Sequence, residues 1–261
     1  MSIHDRAKSF CSSFLEGITN PKSKNGPIVT LTYAQSLDGR ISGHHGQQLA
    51  LSSEESFIMT HRLRTLHDGI LVGIGTLLND NPRLTARLLG PGELESTINQ
   101  PRPIILDSQL RFPLSSNVLQ QSKMNGRKSP LIFTSYEHDS AKRKLLEQEG
   151  VVVVPIKSSK NGQLSITHLL STLCSPPFSI NRLMVEGGAK VIQSFLKSNV
   201  VDLLIVTIAP IFIGVNGILV INKNSTENQV EEEINVDLPK LVDIKYEQFG
   251  RDIVLAAYVL S

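Results

Sequence analysis

Apolar residues in this chain fall into two alternating patterns: short continuous runs, and stretches where they return every third or fourth position. The continuous runs predict strands. They are "PIVTLTYAQSLDGRIS" up to an Asp38-Gly39 turn, "ILVGIG" (70–75), "PRPIILD", "PLIFTSY", "VVVVPI" and "RLMVEGG". The periodic stretches predict helices. "SSEESFIMTHRLRTLHDG" places Met59, Leu63 and Leu66 at helical spacing, behind a capping box of Ser52 and Glu55. Asp139 predicts the N-cap of a helix through "SAKRKLLEQEG", with Gly150 as its stop. "SITHLLSTLC" predicts another helix, and "AKVIQSFLKS" one with Val191, Ile192, Phe195 and Leu196 on a single face. "VDLLIVTIAPIFIG" is long and apolar, and "LVDIKYEQFGRDIVLAAYVL" reads as a terminal hairpin turning near Gly250. The residues between "PRPIILD" and "PLIFTSY" read as a polar loop, and the acidic stretch 222–239 as a surface loop.

Strands that are apolar throughout, rather than alternately, belong to a sheet covered on both faces. The expectation is an α/β fold of three layers, α/β/α, with a mostly parallel central sheet and an antiparallel C-terminal hairpin. Residues 1–25 read as an N-terminal extension and 26–261 as one domain. A hydrophobic fraction of 40% suits a substantial core, and a net charge of +2 leaves no basic footprint for nucleic acid. Two cysteines, Cys11 and Cys174, without a Cys-x-x-Cys pair, argue against a disulfide framework and a cysteine zinc site. No metal is expected. The first twenty residues lack the apolar core of a signal peptide, and no apolar run approaches a membrane span of about 20 residues. A cytoplasmic protein with no membrane partner is the expectation.

Two strand ends carry glycines. In "VGIGTLLNDNPRLTAR" (72–87), Gly73 and Gly75 close a predicted strand, and TLLND offers one or two helical turns. Glycine lets a ligand approach the backbone, and free N–H groups at a helix start attract anions. Thr76 suits an N-cap or a hydroxyl donor to a phosphate or ribose. Asp80 suits an acceptor for a ribose or carboxamide, and Arg87 offers a phosphate a charged fork. A dinucleotide fingerprint fails here, because Leu78 stands where its third glycine belongs. An ordinary strand–turn–helix corner is the alternative. In "LMVEGGAKVIQSFL" (183–196) a strand runs directly into a helix at Gly187-Gly188. The paired glycines would expose N–H groups at the positive end of a helix dipole, a cradle suited to pyrophosphate, with Glu186 at the strand's carboxyl end. Tight strand–helix packing is the competing explanation. His44 and His45 read as a solvated loop pair, and His61 and His67 as surface or boundary residues of the long helix. No Gly-x-Ser-x-Gly elbow, P-loop, His-Glu-x-x-His or zinc-deaminase signature occurs.

Taken together, Ser36-Leu37-Asp38-Gly39, Gly73-x-Gly-Thr-x-x-x-Asp80-x-Pro82 and Glu186-Gly187-Gly188 give the chain a family resemblance. It resembles the pyrimidine reductases of riboflavin biosynthesis. These are the stand-alone 2,5-diamino-6-ribosylamino-4(3H)-pyrimidinone 5′-phosphate reductases of fungi and archaea, and the reductase half of bacterial deaminase–reductases. The three motifs recur in the family's order across residues 28 to 260. The resemblance implies a dihydrofolate-reductase-like fold, so the phosphate cradle lies outside the first glycine motif and no third glycine is needed there. It implies NADPH as cofactor, a phosphorylated pyrimidine as substrate, and a homodimer. Thr76, Asp80, Val154, Glu186, Gly187, Gly188, Ala189 and Lys190 would contact the cofactor, with Val154 near its adenine end. Leu84, Arg87 and Glu186 would contact the substrate, Arg87 at the ribose 5′-phosphate. Ser108 and Arg111 are candidates for a 2′-phosphate contact. The bacterial enzymes often carry a Lys near the position of Thr32, so no general acid is assigned. The absent deaminase motifs fit an enzyme that reduces before another deaminates. A pterin reductase and a catalytically silent nucleotide-binding dimer are the rival readings.

Overall fold

The computed structural model of the chain describes residues 1–18, 20–23, 25–124, 127–220 and 240–260. The predicted surface loop at 222–239 lies outside the described residues.

The first element was not expected. Helix α1 (Ile3–Leu15) starts at a reciprocal capping box between Ser2 and Asp5 and buries Ala7, Phe10, Cys11, Phe14 and Leu15. Strand β1 (Ile28–Ser36) runs to the Asp38-Gly39 turn, beyond which β2 (Arg40–Ser42) pairs with a short β9 (Ile218–Leu219). Helix α2 (Glu54–Thr65) is capped by Ser53, whose hydroxyl accepts from the Ser56 N–H. The expected Ser52–Glu55 box is therefore one residue out of register, and position N3 carries a serine. Strand β3 (Gly69–Gly73) leads at once into α3 (Ile74–Asp80), and β4 (Arg102–Leu106) follows. The stretch read as a polar loop contains α4 (Asn117–Met124). Its start is tied to the end of α3, because Asn81 accepts from the Asn117 N–H at 2.8 Å and receives the Asn117 amide at 2.7 Å. Then come β5 (Leu131–Ser135), α5 (Ser140–Gln148) capped by Asp139 as expected, β6 (Val152–Ile156) and α6 (Ile166–Cys174). Strand β7 (Arg182–Gly187), α7 (Ala189–Lys197), β8 (Leu203–Ala209), β10 (Lys240–Phe249) and β11 (Asp252–Leu260) complete the chain.

The main sheet has the order β10-β11-β8-β1-β7-β3-β4-β5-β6. Strands β8 through β6 in that order are parallel, and β11 and β10 add an antiparallel end. Side chains alternate between two covered faces. Ile70, Val72, Ile105 and Ile132 pack against Leu77 of α3, Val118 and Leu119 of α4 and Leu146 of α5. On the same face, Met184, Leu203 and Ile205 meet α1 and α2. The opposite face carries Leu31, Leu71, Ile104 and Val185 under α6 and α7. The three-layer, mostly parallel sheet with its antiparallel hairpin is the expected one. The run "VDLLIVTIAPIFIG" is strand only to Ala209, and its later Phe212 is exposed. No helix among the described residues is long and apolar enough to cross a membrane.

This topology creates one crevice. From β1 the chain passes along the α2 face to β3, whereas from the adjacent β7 it passes along the α7 face to β8. Connections leaving neighbouring strands in opposite directions open a gap beyond the strands' carboxyl ends, where α/β sheets bind ligands.

Candidate active site

Both glycine motifs end at that crevice. Gly187 and Gly188 have φ of +96° and +86°, a region that costs other residues roughly 1–2 kcal/mol. A Cβ on Gly188 would lie 2.8 Å from Thr76 Oγ1, and Thr76 Oγ1 itself donates to the Gly187 carbonyl at 3.4 Å. The starts of α3 and α7 therefore converge, with Thr76 against the Gly-Gly turn. No side chain caps α7, so the N–H groups of its first turn, at Ala189 and Lys190, are left for a ligand. Gly73 has a different reason: a Cβ there would meet Val191 of α7 at 2.9 Å. It lets the helix pack, and Gly75 faces open space.

Glu186 precedes the cradle at a break in register, where Leu71 opposes Val185 and Val72 opposes Gly187. The extra residue is Glu186, and such bulges re-aim a side chain. Its carboxylate meets Arg64 of α2 in a two-pronged pair, Nε to Oε1 at 2.6 Å and Nη2 to Oε2 at 2.7 Å. Arg64 also donates from Nη1 to the Thr85 carbonyl at 2.8 Å. Arg64 was not singled out in the sequence, because nothing local marks a contact spanning 122 positions.

Arg87 is on the surface beside this pair. Partial burial first, then the guanidinium groups of Arg64 and Arg83, push its pKa down, while Glu95 and Glu186 oppose them. Arginine nonetheless stays charged, so the spot holds positive charge in excess of its carboxylates and suits a phosphate. Leu84 is buried in the core at φ +53°, so it sets the path of the backbone between Pro82 and Arg87. Asp80 ends α3, one turn after Thr76, and burial raises its pKa.

Val154 lies in the row Gly73–Leu106–Phe133–Val154, three strands from Gly73, about 14 Å away at the usual strand spacing. Lys190 is exposed and Ala189 partly so. Ser108 presents its carbonyl to Ser135, and Arg111 stands 3.9 Å from the buried Asp107. His61 and His67, read as surface or boundary residues, are both buried, and His67 lies beyond the end of α2. His67 bridges the Leu63 carbonyl and Thr30 Oγ1, each at 2.8 Å. The only cue was that both fall in an apolar-periodic stretch, where a neutral imidazole is as acceptable as any polar aromatic.

A reductive class of enzyme fits a sheet crevice that joins an uncapped Gly-Gly helix start to a carboxylate beside a cationic arm. The chain belongs to the RibD C-terminal domain family, whose model matches residues 27–255. Among its relatives, the 2,5-diamino-6-ribosylamino-4(3H)-pyrimidinone 5′-phosphate reductase of Candida glabrata is 33% identical over 258 residues, 97% of this chain and 98% of that one. The reductase of the same name from Archaeoglobus fulgidus is 36% identical over 191 residues, 72% of this chain and 82% of that one. The solved structure of the Saccharomyces cerevisiae riboflavin biosynthesis reductase Rib7 matches with a TM-score of 0.71 at 31% identity, covering 96% of this chain and 98% of that one. These relatives bear out the resemblance read from the three motifs, and the chain is an oxidoreductase.

Proposed function

We propose that the protein reduces the ribosyl side chain of 2,5-diamino-6-ribosylamino-4(3H)-pyrimidinone 5′-phosphate to the ribitylamino product, using NADPH. The convergence of Thr76 with Gly187-Gly188, one residue from a carboxylate that faces the cationic arm of Arg64 and Arg87, carries this reading. The Gly188 position has no room for a Cβ and α7 has no side-chain cap, so the residues present fit a dinucleotide pyrophosphate. Gly187, Gly188, Ala189 and Lys190 would hold it through backbone N–H groups, with Thr76, Asp80 and Val154 along the rest of the cofactor. When bound, NADPH supplies the hydride for C1′ of the ribosylamine. The chain's own contribution is positioning: Arg87 holds the 5′-phosphate, Leu84 shapes the wall beneath it, and Glu186, fixed by Arg64, orients polar groups of the substrate. The reduction also takes up one proton, at the imine nitrogen or a sugar oxygen; no residue is assigned as general acid, and water delivers it.

Homodimerisation belongs to the same proposal. Ile253 and Tyr246, exposed on one face of the terminal hairpin, support it, and the mass in solution from sedimentation equilibrium tests it. The decisive experiment is NADPH oxidation by the purified chain with the freshly made pyrimidine, beside NADH, dihydrofolate and the deaminated pyrimidine. Fast oxidation with the amino compound alone is expected. Faster turnover of dihydrofolate or of the deaminated compound would remove the substrate assignment.

A further inference from the structure

His61 has no part in that reading, yet it is buried against the segment that carries the phosphate arm. It sits on α2 three residues before Arg64, 1% exposed. Its Nδ1 lies 3.2 Å from the backbone nitrogen of Arg87. A peptide N–H can only donate, so Nδ1 must hold a lone pair and the ring must be neutral. Positions i and i+3 share a helix face, and from that face His61 and Arg64 take hold of one stretch of backbone. Arg64 binds the Thr85 carbonyl, Gln100 binds both backbone groups of Ala86, and His61 receives the N–H of Arg87. Burial, then the Arg64 and Arg87 guanidinium groups, lower the His61 pKa to about 3 against a pull from the Thr85 carbonyl. The ring is thus an acceptor at neutral pH, and a protonated one would lose the contact and add a third cation.

We propose that His61 is a positioning residue, whose neutral Nδ1 fixes the Arg87 peptide and so aims the Arg87 guanidinium at the substrate's phosphate. The proposal rests on the assignment of Arg87 to that phosphate.

The test compares the phosphorylated substrate with its dephosphorylated form, using the full chain and the variants His61→Ala, His61→Asn and Arg87→Ala. His61→Ala is expected to raise KM for the phosphorylated substrate about tenfold, the scale of one lost hydrogen bond, with kcat nearly unchanged and KM for the dephosphorylated form unmoved. His61→Asn, which offers Oδ1 near the Nδ1 position, should restore most of the loss. In the Arg87→Ala background, His61→Ala should add nothing. An equal KM rise for both substrates, or additive losses in the double variant, overturns the proposal. A raised KM in Arg87→Ala with none in His61→Ala removes the proposal alone, whereas no change in Arg87→Ala removes the phosphate assignment along with it. Should the alanine variant not fold, nitrogen chemical shifts of the native imidazole decide the matter. An unprotonated Nδ1 that responds to substrate is expected, and a protonated Nδ1 overturns the proposal.

Discussion

At the scale of single residues, the site depends on one backbone position and one ion pair. Gly188 combines a left-handed φ of +86° with a missing Cβ that would press on Thr76. Gly188→Ala is expected to cost roughly 1–2 kcal/mol of stability from φ alone and to push Thr76 away from the cradle. KM for NADPH should rise more than KM for the pyrimidine, and paired steady-state titrations would show an equal rise if the cradle lies elsewhere. The Arg64–Glu186 pair is mostly buried, with 12% and 15% of the two side chains exposed. Removing Arg64 leaves a carboxylate in a poorly solvated place, so Arg64→Ala should destabilise the fold by about 3 kcal/mol in urea titrations. Arg64→Lys keeps the charge but loses the two-pronged geometry and the Thr85 contact together. It should recover more stability than activity, and full recovery of activity would mean that the fork has no role in placing Glu186.

Helix α1 shows, at the scale of elements, how a pattern can be present and still be passed over. Ala7, Phe10, Cys11, Phe14 and Leu15 recur at the spacing of a buried helix stripe, but the intervening charges made the stretch look like a loose extension. Phe14 is 1% exposed, meets Phe10 and Tyr258 edge to face at 5.6 and 5.7 Å, and lies under the Lys245 ammonium. Phe14→Ala is therefore expected to cost about 3–5 kcal/mol, like other deep aromatic truncations, in a denaturant titration of the full chain. A loss below about 1 kcal/mol would show that α1 is not joined to the core it covers. The parallel strands were legible because β3, β4 and β5 are apolar without interruption, which only a doubly covered sheet demands. Helix α4 was not, because it has eight residues and buries two of them, too few to set up a period. The strand–Gly-Gly–helix junction was legible for a local reason, since its parts adjoin in sequence. The bulge at Glu186 and its Arg64 partner were not, because each depends on a neighbour that the sequence leaves far away.

For the whole molecule, α2 links the core, the site and the response to acid. His61 on its buried face holds the Arg87 segment, and His67, just beyond its last turn, ties α2 to β1 through Thr30. Both rings are neutral in the fold. Burial is the first cause in each case and lowers their pKa values from 6.5 to about 3 and about 4. The sign follows from proton counts. Below about pH 6.5 the unfolded chain binds a proton at each ring and the fold does not, so stability falls as pH drops towards the folded values. Above that point these two groups contribute no slope. Each is worth at most about 1.4 kcal/mol per pH unit where the unfolded ring is charged and the folded one is not. Asp107 and Asp202 act in the opposite direction, because burial raises their pKa values and the fold takes up their protons first. They offset part of the loss only at the acid end. Urea titrations across the range from neutral to mildly acid pH should therefore show a plateau that bends downward below the ordinary histidine range. His67→Asn should remove about one proton from that slope while lowering the plateau itself, since the Thr30 and Leu63 contacts are lost. A bend of unchanged steepness in both His61→Asn and His67→Asn would place the acid sensitivity outside these two rings, whereas a carboxylate that anchors a turn, such as Asp38, acts at lower pH. Its carboxyl is held down to about 2, chiefly by the Ser36 hydroxyl. The two sources start at different points on the pH axis, because the histidine slope sets in below about 6.5 and runs down to the folded values of about 4 and about 3, whereas a carboxylate held that low loses its contribution only below the ordinary carboxylate pKa of 3.8.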